Sequence, residues 1–413
     1  MSDKILASGF ATRKEVWAAV AAHPEVLRAG PRVGLFLLRY MGKFHVRRAG
    51  RHLVLHSHLP PLNHPAYGRF IREHLLGKIP GPSHAQIGLT NACPQRCVYC
   101  YNRDRRGEPM STAEILAAIR DLRALGVFWL GLTGGEPLLN KDIVEITAAA
   151  SPGMAVKLFT TGLGLTPGLA ASLRDAGLFS VSVSLDHWRE DIHDAGRGYP
   201  GAFRAALDAI ETARAVGGLH VGVSAVLSPA MIRGGEAETF LAFLADLGLD
   251  EAWLCETKPS GPAFWRPDAV VSDSERRSLI ALQDRWNRGR GLTVNYLGHF
   301  ESGRYFGCNA GRKMVYVDAF GEVSPCVFTP ITFGNIRDRP LRAIWSEMTT
   351  SFRPSATCFI NEHWRHIQNL AGNAGRLDAG QTRRLMNDVT FGPMPRFYEL
   401  YYRRHGGYLA RPA

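Results

Sequence analysis

The sequence predicts an α/β fold. It is a partial (β/α)6 barrel of the TIM type, with an N-terminal helical accessory segment and a small C-terminal domain of a β-hairpin and helices. Three observations predict it. From residue 85 the chain alternates apolar, β-branched runs with amphipathic helical runs, six times over. Residues suited to chemistry fall just after the predicted strands, where a parallel barrel keeps its working groups. Around Ala319-Phe320-Gly321, two β-rich runs are broken as a hairpin breaks them. The expected boundaries are 1–84 for the accessory segment, 85–290 for the barrel, 291–365 for the hairpin domain and 366–413 for a helical tail.

Composition narrows the setting. The 413 residues suffice for two or three domains. An apolar share of 46% with 21% charged residues is that of an ordinary protein with a large core. The opening Met1-Ser2-Asp3-Lys4 is mixed in charge and leads to no apolar signal segment. No apolar run reaches the length of a membrane span. Seven cysteines, odd in number and clustered as ligands are, point to a reducing cytoplasm and away from a disulfide framework. The net charge of +12 fits a solvated basic surface, an acidic substrate or an anionic membrane face. Nucleic acid is not expected, since no recognition motif accompanies the charge.

In order, Thr12–Leu27 reads as one helix and Val33–Met41 as a second, amphipathic one. Such a helix packs on the domain behind it, or lies on a membrane at its inner face. Pro60, Pro61, Pro65, Pro80 and Pro82 punctuate the entry to the barrel. Ala85–Asn91 is the first strand, and Ser111-Thr112-Ala113-Glu114 a capping box opening a helix to about Leu125. Strands follow at Val127–Thr133, Met154–Thr160, Leu178–Leu185, Leu219–Leu227 and Ala252–Glu256. Helices between them are expected over 142–150, 167–176, 202–216 and 237–247. Six such units imply a parallel sheet with right-handed crossovers. Tyr398, Tyr401 and Tyr402 read as packing residues.

Cys93, Cys97 and Cys100 stand after the first strand as C-x3-C-x2-C. Thiolates bind soft metals and iron–sulfur clusters. Three of them on a four-iron cubane leave one iron open to a small molecule; the alternatives are a structural zinc site or three unrelated thiols. With Tyr99 before the third cysteine, this loop resembles that of the radical S-adenosylmethionine (radical SAM) enzymes. Gly134-Gly135-Glu136-Pro137 after strand two resembles the family's GGEP motif. Thr160-Thr161-Gly162 is similar to its T-N-G turn, with Thr in place of Asn. Ser182-Val183-Ser184-Leu185-Asp186 matches S-x-S-L-D, and His193-Asp194-Ala195-Gly196-Arg197-Gly198 resembles H-D-x-x-R-G.

The resemblance implies a [4Fe–4S] cluster on the three cysteines with SAM on its open iron, cleaved on reduction to a 5′-deoxyadenosyl radical. Gly134, Gly135 and Glu136 would grip the methionine end of SAM, Ser184 and Asp186 the ribose or amino acid portion, and Arg197 the carboxylate. Cys308, the hairpin, Pro325-Cys326, Gly334-Asn335 and the run to Trp345 resemble the SPASM or twitch extension of the same family. This implies an auxiliary [4Fe–4S] cluster on Cys308, Cys326 and Cys358. The dense cysteine run of a full SPASM domain is missing after Cys358, so one auxiliary cluster is expected. Cys255, at the end of strand six, is the remaining cysteine, a candidate fourth ligand, a core thiol or a catalytic thiol. The expected activity is hydrogen abstraction from an unactivated C–H bond, with an electron donor such as flavodoxin or ferredoxin. The substrate is a peptide or protein, or alternatively a lipid, tetrapyrrole or other small molecule. A non-catalytic iron–sulfur scaffold is the rival class.

Overall fold

Six parallel strands follow one another along the chain: β1 (His84–Gly88), β2 (Trp129–Thr133), β3 (Ala155–Thr160), β4 (Leu178–Ser184), β5 (His220–Leu227) and β6 (Glu251–Glu256). A computed structural model describes residues 8–77 and 81–405; the Met1–Lys4 opening and Pro80 lie outside the described residues. Every residue of β2 and β6 is buried, as expected where helices cover the outer face of a parallel sheet that curls into a partial barrel. Helices run between the strands, and their starts are fixed locally. Ser111 and Glu114 form the expected capping box, and Thr166 and Ser228 accept the N–H groups of Leu169 and Met231.

The α/β partial barrel predicted from the alternation is the fold observed, and the sheet goes further at both edges. β7 (Thr293–Tyr296) adds parallel to β6. At the other edge β8 (Met314–Val317) pairs parallel with β1 and turns back as β9 (Val323–Ser324). The strand order is therefore β7-β6-β5-β4-β3-β2-β1-β8-β9. The C-terminal hairpin is part of the main sheet.

The N-terminal region, expected to be helical, also holds a three-stranded antiparallel sheet of Ser8–Phe10, Arg47–Ala49 and His52–Val54, and one expected helix is broken. A helix runs over Arg13–Ala21 and gives way to a 3₁₀ turn at Pro24–Ala29, where one helix had been expected over Thr12–Leu27. Pro24 offers no N–H and its ring obstructs the turn before it. The next helix, Pro31–Met41, buries Val33, Phe36 and Tyr40 against Phe306, Phe397 and Tyr398. It packs on the domain, together with the C-terminal helix Arg396–His405, and leaves Leu35 and Leu38 exposed. Tyr398 and Tyr402 are buried in the same cluster.

Residues 55–59 seal the amino ends of the strands. Trp129 Nε1 donates to the Ser57 carbonyl at 2.8 Å, and Lys157 Nζ to Ser57 Oγ at 2.6 Å. Ser57 N donates to Glu251 Oε2 at 2.7 Å. The His58 ring stacks on Trp129 and Trp253, with centroids 5.1 and 4.9 Å apart. Burial lowers Lys157 to about 8, against the pull of Glu251. Burial alone would raise the Glu251 carboxyl; Lys157, His220 and His56, with a bond from Asn295, hold it below its ordinary value.

Candidate active site at the carboxyl ends of the strands

The loop from strand β1 carries the three cysteines across the mouth of the barrel. Cys97 is buried, while Cys93 and Cys100 are half-buried. The loop is held from two sides. On one, Arg96 N and Val98 N donate to the carbonyls of Arg197 and Gly196, at the end of the helix Glu190–Arg197. Gly198 closes that helix in the left-handed region, φ 58°, and a Cβ there would lie 2.8 Å from the Arg96 carbonyl oxygen. On the other side, Gly135 N and Glu136 N donate to Thr90 O and Ala92 O at 2.6 and 2.8 Å. A Cβ on Gly134 would stand 2.3 Å from Thr90 O, and one on Gly135 2.2 Å from Ala92 O. Only glycine admits this approach.

Beneath the loop lies a cavity of about 620 Å3. Cys93, Cys97, Cys100, Tyr99, Gly134, Gly135, Ser184 and Arg197 border it, with Thr160 and Thr161 at the end of β3. Gln86, Phe159, Trp253, Cys255, Glu256 and Lys258 complete its wall. The expected SAM-contacting residues thus meet in one place, with two of them set behind it. Glu136 is fully buried, and its carboxylate accepts from Leu138 N at 2.9 Å, Thr160 Oγ1 at 2.7 Å and Thr161 N at 2.6 Å. Burial raises its pKa, and the bonds from Thr161, Leu138 and Thr160 oppose that. Asp186 pairs with Arg197 at 2.8 Å and accepts bonds from the Tyr99 hydroxyl and, at 2.8 Å, Val226 N. Arg197 Nη1 lies 3.9 Å from Cys97 Sγ. Burial opposes the charge of Arg197, but Asp186 beside it raises its pKa.

His193 and Asp194 of the same helix serve the fold. His193 Nδ1 accepts from Asp186 N at 3.2 Å, and the Asp194 carboxylate caps the next helix through Gly201 N and Phe203 N at 2.6 and 2.8 Å. Burial raises the thiol of Cys93 to about 11 and also raises that of Cys97. A metal cluster would take their protons' place, since only the thiolate ligates.

A second cavity, of about 90 Å3, collects Cys308, Cys326 and Cys358, with Glu301, His56 and His58 in its wall. Cys326 follows β9, and Cys358 stands at the start of the helix Phe359–Ala371. Cys308 N donates to Ser355 O at 2.8 Å, which draws the first of these loops to the third. A bond from Cys308, then the charge of Lys258, lower Cys358 to about 5 against its burial. Cys255 is 1% exposed, borders the larger cavity and is absent from the wall of the smaller one. Its Sγ donates to the Glu256 carbonyl at 3.1 Å.

Among the described residues, no three His, Cys, Asp or Glu side chains converge on a point fit for a single metal ion. Both cysteine trios border a cavity instead. Three thiols on one loop, held by close backbone packing at Gly134 and Gly135 and bordering one cavity, are a donor set that fits a cluster with a ligand on its open iron. The hairpin and the cysteine loop are joined beneath by Arg105 and Asp318, a buried pair at 3.0 Å, and by Tyr316 donating to Asn102 at 3.0 Å.

Sequence reasoning did not single out Glu256, Lys258 or Glu301. Lys258 Nζ donates to Glu256 Oε1 at 2.8 Å and to Glu301 Oε2 at 3.5 Å, and burial pushes Glu301 up to about 8. The available signal was position alone: Glu256 and Lys258 stand at the carboxyl end of β6.

Comparison with known proteins agrees with this geometry. Residues 87–244 match the radical SAM superfamily, and residues 308–366 match an iron–sulfur cluster-binding domain, SPASM. The AdoMet-dependent heme synthase of Methanosarcina barkeri is 28% identical over 282 residues, covering 62% of this chain and 80% of that protein. The PqqA peptide cyclase of Methylocella silvestris is 29% identical over 283 residues, covering 65% and 75%. The fold is shared with Streptococcus suis SuiB bound to precursor peptide SuiA, with TM-score 0.53, 17% identity, and 67% and 68% of the two chains covered. This chain is a radical SAM enzyme, a member of the superfamily that works with a [4Fe–4S] cluster and S-adenosylmethionine, and over residues 308–366 it carries an iron–sulfur cluster-binding SPASM domain.

Proposed function

We propose that this enzyme abstracts hydrogen from an unactivated C–H bond of a peptide or protein. When bound, the reduced cluster and SAM supply the 5′-deoxyadenosyl radical that such a step needs. The chain's part is to hold, aim and keep water out. Cys93, Cys97 and Cys100 are the ligands of the first cluster. Gly134 and Gly135 bring their backbone against the cysteine loop at the edge of the space for the methionine end of SAM, and Ser184 faces its ribose or amino acid portion. Glu136 orders the Thr160–Thr161 turn beside them. Arg197 presents its guanidinium to the SAM carboxylate while Asp186 and Tyr99 fix its angle. Phe159, Trp253 and Gln86 line the space for substrate. Cys308, Cys326 and Cys358 hold the auxiliary cluster.

One observation carries the reading: three thiols, the glycine backbone that holds their loop and an aromatic-walled chamber share one cavity. The similarity to a peptide cyclase supports a peptide as substrate. Similarity of the same order to a heme synthase favours a tetrapyrrole as the second reading. The electron donor is of the flavodoxin or ferredoxin type. The setting is the cytoplasm; among the described residues no helix is long and apolar enough to cross a membrane. Exposed Leu35 and Leu38 beside Arg32 and Arg39 would serve a peripheral contact with the inner membrane face.

Anaerobic reconstitution, iron and sulfide analysis, and a 5′-deoxyadenosine assay with dithionite test the activity. Transfer of deuterium from a labelled peptide into 5′-deoxyadenosine tests the substrate class; transfer from a porphyrin and from no peptide would decide for the second reading.

A further inference from the structure

Lys258 stands between the two cavities, and its surroundings are unusual for a lysine. Its side chain is 1% exposed, and so is that of Glu256, 2.8 Å away. Besides Glu256 and Glu301, its ammonium reaches a third acceptor, Cys358 Sγ, at 3.5 Å. Lys258 and Glu256 border the larger cavity, while Glu301 and Cys358 border the smaller. Arg276 reaches Glu256 from the far side, at 3.3 Å. A buried ammonium is costly unless several acceptors hold it. Two carboxylates with an arginine already in reach would satisfy an ordinary buried pair, so the contact with a cysteine sulfur needs its own explanation.

We propose that Lys258 sets the reduction potential of the auxiliary cluster. It does so by donating to the Cys358 sulfur and by placing a fixed positive charge beside the cluster. The inference rests on the reading that Cys308, Cys326 and Cys358 hold that cluster. One-electron reduction adds one negative charge to an iron–sulfur cluster. Hydrogen bonds to its sulfurs, and net charge nearby, move its potential. An ammonium at Cys358 favours the reduced form. Glu256 opposes this from the wall of the larger cavity by drawing on the same ammonium. Lys258 is thus a positioning residue that acts through Cys358, and it ties the electronics of the auxiliary cluster to the chamber where substrate lies.

The test is an EPR-monitored redox titration of the full-length protein carrying both clusters. The signal that changes on adding SAM belongs to the first cluster and serves as the internal control. Lys258→Met is expected to lower the auxiliary potential by at least tenfold in the reduced-to-oxidised ratio, 59 mV for a one-electron couple, with the SAM-responsive signal unmoved. Lys258→Arg, which keeps the charge, should return most of that shift. Glu256→Gln leaves the ammonium less neutralised and should raise the potential. Should Lys258→Met fail to retain the cluster, Lys258→Arg and Glu256→Gln still decide by the size and sign of their shifts. An unchanged potential in Lys258→Met with full iron content overturns the inference, as does a lowered one in Glu256→Gln. Wild-type protein holding the iron of one cluster only would instead overturn the assignment of Cys308, Cys326 and Cys358, and the role of Lys258 with it.

Discussion

The two ends of the barrel both bury charge, and they do so to opposite effect. At the amino end Ser57 accepts from Lys157 and donates to Glu251, and His58 fills the remaining space between two tryptophans. At the carboxyl end Arg197, Asp186 and Tyr99 satisfy one another, but around a cavity into which thiols and glycine backbone face. A closed network makes a floor, and the same kind of network built behind a loop makes a mount. Burial of charge therefore does not by itself mark the working end. What marks it is donor atoms left facing open space.

The contrast can be broken most directly at the mouth. Cys97→Ala is expected to abolish SAM cleavage while changing the stability of the iron-free protein by less than about 1 kcal/mol. Production of 5′-deoxyadenosine by the reconstituted variant would remove Cys97 from the ligand set. The floor should behave in reverse. Glu251→Ala leaves the Ser57 N–H and the Asn295 amide buried without their acceptor, and each buried group left unpaired costs about 1–3 kcal/mol. Urea unfolding should show that loss, with SAM cleavage per folded molecule unchanged.

A finer cut concerns Glu136→Gln. An amide cannot accept from Leu138, Thr160 and Thr161 as the carboxylate does, so the Thr160–Thr161 turn on the cavity wall loses charge-assisted bonds worth about 1.5–3 kcal/mol, and SAM binding should weaken as the turn loosens. Iron content should hold. Unchanged SAM affinity with the cluster intact would separate Glu136 from the SAM site.

The floor also predicts a pH dependence. Burial lowers His56 to about 3, far below its unfolded value. Below about pH 6.5 the unfolded chain therefore binds the proton that the folded chain refuses, and stability falls as pH falls, by about 2 kcal/mol at pH 5 from this residue alone. Lys157, lowered to about 8, works in the other window. Between pH 8 and about 10.5 the unfolded chain holds the extra proton, so stability from this group rises with pH. His56→Gln should flatten the acid limb of the stability curve, and Lys157→Met the alkaline one. The smallest effect is expected at Cys255. Because it borders the larger cavity, Cys255→Ser should leave the auxiliary iron content as it was, and a fall in iron would make it the fourth ligand.

The mouth was far more legible in the sequence than the floor. Its residues are local in sequence: three cysteines within eight positions, and Gly134, Gly135 and Glu136 in succession. Their pattern survives without knowledge of the fold. Nothing local marks Ser57 or His58, whose partners lie at residues 129, 157, 251 and 253. Lys157 reads only as a polar interruption of a strand. β7 is four residues long, too short for alternation to emerge. The helix Glu190–Arg197 has Ile192 as its one large apolar residue and gives no apolar stripe, since its buried face consists of His193 and Arg197. Lys258 became visible only when two cavities could be seen to share a wall.

The pairing of β8 with β1 has a consequence for synthesis. β1 is made well before β8, and one of its two edges stays unpaired until Met314–Val317 has been made. Until then the nascent chain exposes a strand edge of the kind that recruits other chains. A parallel partner so distant in sequence is also slow to find. A chain that stops short of β8 would keep β1 as an open edge, and the mount for Cys93, Cys97 and Cys100 begins where that strand ends. Strand β8 thus closes the first strand of the barrel, so the cysteine loop reaches its final support only after that distant segment has been made.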